Sequence, residues 1–219
     1  MKRNVIILII FLVLSLTSNL FAQKDRKLTN GFSINLNVGI PSGQYGKLSE
    51  NYSGDEFQLG SIWGLQLGSR WYFSPKENYG IGFMLNWADI TIGAKSEYDW
   101  GRTVADLSFF EIGPFGTYVF NKDIALDTYY NLRPTIFVSN ISFPDYDITL
   151  RDEHYTYTGL GFTHAIGAAF RYKALNIGLE YVMGSMNNVG TNSGPFVGED
   201  PESQKIIANN FRIMIGAKF

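Results

Sequence analysis

The sequence predicts an all-β fold, an eight-stranded antiparallel up-and-down transmembrane β-barrel, and three observations carry that expectation. Eight segments alternate apolar and polar residues with period two, the links between them alternate short and long, and aromatic rings gather toward segment ends on the apolar side. Beyond the N-terminus no stretch holds a 3.6 period or an apolar run long enough for a membrane helix.

The first segment, FSINLNVGI, sets Phe32, Ile34, Leu36, Val38 and Ile40 against Ser33, Asn35, Asn37 and Gly39. The second opposes Trp63, Leu65, Leu67, Trp71 and Phe73 to Gly64, Gln66, Gly68 and Arg70, and the third opposes Tyr79, Ile81, Phe83, Leu85 and Trp87 to Gly80, Gly82, Met84 and Asn86. In the fourth, Phe110, Ile112, Pro114, Tyr118 and Phe120 face away from Glu111, Gly113, Phe115 and Thr117; the fifth, 124–138, separates Leu126, Tyr130, Leu132, Ile136 and Val138 from Asp127, Asn131 and Arg133. The sixth, 155–172, puts Leu160, Phe162, Ile166, Ala168, Phe170 and Tyr172 opposite Gly161, Thr163, Gly167 and Arg171. The seventh, 174–186, parts Leu175, Ile177, Leu179, Tyr181 and Met183 from Asn176, Gly178 and Glu180, and the eighth is NNFRIMIGAKF, residues 209–219. Pro114 and Pro134 each remove a ladder donor, so a bulge or kink is expected near them; if they end their strands, the count of eight fails.

Residues 41–60, 91–107, 139–154 and 187–205 read as long polar loops, and 74–78, 121–123 and 173–174 as tight turns. Hairpins joining each neighbouring pair place both termini at the short-turn end. Closure removes the unpaired edges of an open sheet, and eight strands enclose an interior only wide enough for side chains. Bulky rings therefore belong outside and glycines inside. Trp63, Trp71, Phe73, Tyr79, Trp87, Tyr118, Phe120, Tyr172 and Tyr181 form the expected aromatic girdle, because amphipathic rings favour the headgroup interface. Lipid then surrounds the barrel.

At the N-terminus, Lys2 and Arg3 precede an apolar run from Val5 to Leu14 and a more polar stretch ending at Ala22, which reads as a signal peptide over 1–22 with the barrel domain at 23–219. With no cysteine in the chain, neither a disulfide nor an N-terminal lipid anchor on cysteine can form. Net charge is −2, about −4 once Lys2 and Arg3 leave with the signal, so no nucleic-acid partner is expected.

Phe21-Ala22-Gln23, the stretch VGIPSGQYGKL and the closing Phe219 together resemble the outer-membrane β-barrel families of Bacteroidota, small OmpA/OmpX-like barrels including the PorT-like group. The resemblance implies an outer-membrane location with periplasmic termini and extracellular loops, lipid and lipopolysaccharide as surroundings, and Phe219 as the signal read by the barrel-assembly machinery. It also implies a tie to secretion or to a surface partner, since PorT-like proteins are linked to type IX secretion; no single residue of the chain carries that link.

Inside the barrel, alternation brings Glu111 and Arg133 to similar depth on adjacent strands, and likewise Glu180 and Arg212; Arg70, Asp127 and Arg171 lie nearer the short turns. Paired charges filling the lumen are expected, because buried charges persist only when paired and hydrogen-bonded. A narrow channel is the alternative, and a lipid A-modifying enzyme a third reading. For the enzyme only His154 and His164 are available. His164 faces outward by parity and lacks a following serine, while His154 lies in DYDITLRDEH, whose spacing matches no defined calcium loop. No catalytic, cofactor or metal site is expected, and no phosphate loop or nucleophile elbow appears. No domain is expected after Phe219, and residues 23–31 are too few for a plug domain. The long loops are left as the expected functional surface, exposing Tyr45, Tyr52, Phe57, Tyr98, Trp100, Phe143, Tyr146 and Phe196, with Trp100 the leading contact candidate.

Overall fold

The computed structural model describes residues 28–49, 56–97, 101–143, 153–188 and 205–219. The elements in order are β1 (Gly31–Ser42), a one-turn helix α1 (Gly43–Gly46), β2 (Lys47–Ser49), β3 (Glu56–Gln58), β4 (Ile62–Tyr72), β5 (Tyr79–Ser96), β6 (Gly101–Val119), β7 (Ile124–Phe143), β8 (Glu153–Tyr172), β9 (Leu175–Asn188), β10 (Lys205–Ile207) and β11 (Asn209–Lys218). Strands β1, β4 to β9 and β11 pair antiparallel in chain order, and β11 closes on β1 from Ser33 opposite Lys218 to Ser42 opposite Asn209. The fold is thus a closed eight-stranded antiparallel barrel. At the seam, Phe32 donates to the Phe219 carbonyl at 3.1 Å and Phe219 donates back at 2.8 Å. The stretch 1–22, expected as a signal peptide, and Trp100 lie outside the described residues, as do Tyr52, Tyr98, Tyr146 and Phe196.

The turns at one end are tight for a chemical reason. Asn121 Oδ1 accepts from the backbone N–H of Asp123 at 2.9 Å and of Ile124 at 3.0 Å, an Asx arrangement that closes β6 onto β7. At the other end the strands run well into the stretches expected as loops. β5 continues to Ser96, β6 starts at Gly101, β7 reaches Phe143 and β8 starts at Glu153. The 91–107 and 139–154 loops are therefore much shorter than their polarity implies. Small polar residues such as Thr103, Asn140 and Thr158 are compatible with strands once cross-strand partners pair their backbone.

Two irregularities reset the alternation. Leu67 pairs with Ala88 and Gly68 with Asn86, so Trp87 is an extra residue on β5. On β6 three residues, 109–111, oppose two on β7, 133–134, between the pairs Ser108–Thr135 and Ile112–Leu132. Phe110 there takes φ 56°, the left-handed region costly for a bulky residue, and its ring meets Trp87 edge-on with centroids 6.3 Å apart. Pro134 sits in the segment facing this bulge, where its missing N–H breaks no regular ladder, and β8 keeps unbroken register past it. Neither proline ends a strand.

Candidate functional site

The site is the lumen, and its contents follow from the inward register. Reading from the short turns, β6 points Thr117, Phe115, Glu111, Asp106, Val104 and Arg102 inward, and β7 points Asp127, Tyr129, Arg133, Phe137 and Ser139. Both strands pass from a polar layer, Thr117 and Asp127, through an aromatic one, Phe115 and Tyr129, to a second charged layer and then to the apolar Val104 and Phe137, with Arg102 and Ser139 beyond.

The layer nearest the short turns centres on Asp127. Its carboxylate accepts from Arg70 Nη1 at 2.7 Å and from the Thr117 hydroxyl at 2.6 Å, and Arg171 Nη2 lies 3.4 Å away. Lys218 is buried beside it, its Nζ 4.9 Å from the centroid of the Tyr72 ring. Formally this layer is cationic. Above it Tyr72, Met84, Phe115, Tyr129 and Met214 pack into an apolar belt, against which Leu28 also rests.

The second charged layer has no exposed side chain. Arg133 Nε donates to Glu111 Oε1 at 2.6 Å and Nη2 to Asp89 Oδ2 at 3.0 Å. Arg212 Nη1 donates to Asp89 and to Glu180 Oε1, the latter at 3.2 Å, and Asp106 lies 3.7–3.9 Å from both guanidiniums. Tyr129 donates to Glu180 at 2.9 Å and Asn86 to Glu111 at 2.8 Å. Four carboxylates thus share two guanidiniums in a layer formally of opposite sign to the one below.

The far mouth is closed by Tyr45, Leu59, Ile62, Val104, Phe137, Met186, Ile206 and Ala208. Tyr45 corrects the expectation of an exposed loop aromatic. Gly43 at φ 65° turns α1 back over the mouth, the ring packs edge-on to Phe137 at 5.4 Å, and Arg102 Nη2 donates to the Tyr45 carbonyl at 3.1 Å. Burial, with the Asp106 carboxylate beneath, holds the Tyr45 phenol well above the ordinary tyrosine range, so it stays neutral.

The structure brings together Glu111 with Arg133, Glu180 with Arg212, and Arg70 and Arg171 with Asp127. Sequence reading missed Asp89, Asp106, Arg102, Tyr129 and Lys218. For Asp89 the signal was present: after Trp87 the apolar phase passes to Ala88, Ile90 and Ile92, which turns Asp89 inward. For Asp106 it was the adjacent Phe109 and Phe110, both facing outward. Tyr157 shares the inward register opposite Ser139. Of the girdle, Trp63, Phe73, Tyr79, Trp87, Tyr118, Phe120, Tyr172 and Tyr181 are exposed on the outside, and Trp71 is half-buried against Phe83. Trp87 stands mid-strand, since β5 runs on to Ser96. Room for inward amides comes from cross-strand glycines: Asn37 faces Gly64, Asn86 faces Gly68 and Asn35 faces Gly216.

No family model and no curated protein matches the chain. Solved structures similar to it include the outer membrane protease OmpT of Escherichia coli, with 11% identity, a TM-score of 0.50 and coverage of 90% of this chain and 99% of that one. Ail, the attachment invasion locus protein of Yersinia pestis, is 11% identical at a TM-score of 0.45, covering 87% of this chain and 97% of Ail; Neisserial surface protein A is 11% identical at 0.38, covering 86% and 95%. At such identities the likeness speaks for the fold alone: the chain is built as an antiparallel β-barrel of the outer-membrane kind.

Proposed function

We propose that the chain is a small outer-membrane barrel that works as a structural or interaction protein through the loops at its long-loop end, and neither as an open channel nor as an enzyme. One observation carries this reading: polarity is inverted relative to a water-soluble protein. Phe73 is 75% exposed, Ile40 67% and Trp63 65%, whereas Arg133 and Arg212 are 0% exposed. Such a surface suits acyl chains, and such an interior cannot face them.

Export would remove residues 1–22, the termini would lie in the periplasm and the loops outside the cell, with lipid and lipopolysaccharide around the wall. Phe219 would act as the assembly signal, its position pinned by the Phe32 hydrogen bonds at the seam. The likeness of VGIPSGQYGKL to PorT-like barrels supports a Bacteroidota origin and a secretion or surface partner. The layered lumen speaks against conduction, because two charged layers and two apolar ones stand in series. His164 bonds Tyr130 rather than a serine or carboxylate, so no catalytic role is placed on it. The test is to fractionate membranes and record purified protein in planar bilayers. Recovery with the outer membrane and negligible conductance is expected; a soluble periplasmic protein, or clear stable openings, would overturn the reading.

A further inference from the structure

The hydrogen bond between Tyr130 and His164 stands on the outside of the wall, within the apolar band, as does the one that Trp87 Nε1 donates to Ser69 at 2.9 Å. The Tyr130 hydroxyl on β7 lies 2.6 Å from His164 Nδ1 on β8, the rings stacked with centroids 5.8 Å apart. Leu132 is directly opposite His164 on one side and Met183 on the other, and Ile166 and Phe162 flank it along β8. Among the described residues His164 has a partner only at Nδ1. On the outer-membrane reading, on which this inference rests, Nε2 therefore faces acyl chains, where an unsatisfied polar group is costly and an ionisable one marks function.

We infer that this face pairs with the same face of a second copy of the chain. The donor and acceptor count is self-complementary. When the Tyr130 hydroxyl donates to Nδ1, His164 carries its proton on Nε2 and is a donor there, while the Tyr130 oxygen keeps a lone pair to accept. A two-fold axis along the bilayer normal brings the Nε2–H of each copy to the Tyr130 oxygen of the other, closing a ring of four hydrogen bonds in which every group is satisfied. Beside Tyr130 the outer surface dips into a shallow depression lined by Ile81, Pro114, Phe115, Gly116, Thr128 and Tyr129. The Nε2–H needs an acceptor, and the Tyr130 oxygen of a second copy brings one by symmetry at the same depth.

The absence of cysteine makes the test direct. Leu132→Cys protein in outer-membrane vesicles is treated with a short bis-maleimide, and Leu65→Cys on β4, across the barrel from β8, serves as the comparison. A covalent dimer from Leu132→Cys and none from Leu65→Cys is expected, falling at least tenfold on adding His164→Leu or the more conservative Tyr130→Phe. No dimer from membrane-inserted Leu132→Cys protein, equal yield from Leu65→Cys, or yield unchanged by both second substitutions overturns the pairing. Loss of the unsubstituted chain from the membrane fraction would overturn the outer-membrane reading as well, so the two failures are distinguishable.

Discussion

Arg133 donates from Nε to Glu111 across the β6–β7 pair at 2.6 Å, and neither side chain has any exposure to solvent. The geometry makes each partner's charge depend on the other. Arg133→Met leaves Glu111 without its ion-pair partner, while Asp89 keeps Arg212, and is expected to cost about 3–5 kcal/mol, the range for breaking a buried pair. Adding Glu111→Gln should restore part of that loss. Urea unfolding of the inserted barrel, followed by tryptophan fluorescence, measures both; simple additivity of the two changes would refute direct coupling.

The cap over the far mouth can be checked with a buried reporter. Ser108 is fully buried, so Ser108→Cys in this cysteine-free chain is expected to resist a water-soluble thiol reagent. Adding Tyr45→Ala removes the ring that packs on Phe137 and should raise the labelling rate at least tenfold. Equal rates with and without the Tyr45 ring would show that something other than α1 closes this end.

Space in the wall is as strictly allotted as charge. A β-carbon on Gly113 would overlap the Tyr130 carbonyl of the neighbouring strand and crowd Asn131. Gly113→Ala is therefore expected to destabilise by about 2 kcal/mol or more, since backbone must move. A urea midpoint unchanged from the parent chain would contradict this account.

Phe219 closes the seam from the last position of the chain. Its deletion is expected to lower the yield of inserted barrel far more than it changes the unfolding midpoint of what does insert, if it serves as an assembly signal. Equal insertion efficiency of the shortened chain, assayed by membrane recovery, would refute that role.

Much of this was legible in one dimension. Alternation alone assigns Phe32, Ile34 and Leu36 to one face and Ser33, Asn35 and Asn37 to the other, because side chains along a strand repeat with period two and a slip of one residue would turn every one of them over. Tight turns at 121–123 and 173–174 follow from local side-chain chemistry and chain reversal. What alternation could not carry past was Trp87 and Phe109–Phe110, where an inserted residue reverses the phase, and polar stretches such as 101–107, whose strand character depends on partners far away in sequence.

By itself, then, the sequence determined the class of fold, the strand count, the apolar outside and the charged inside, since each of these is set by the local period and by the chemistry of successive residues. Only the tertiary structure decided that Arg212 meets Asp89, 123 residues away, that Asp106 joins them, and that Tyr45 folds inward as a cap. The reason is geometric: those contacts cross the lumen between strands that are not neighbours, and they exist only once the barrel has closed and its bulges have set which side chains point in.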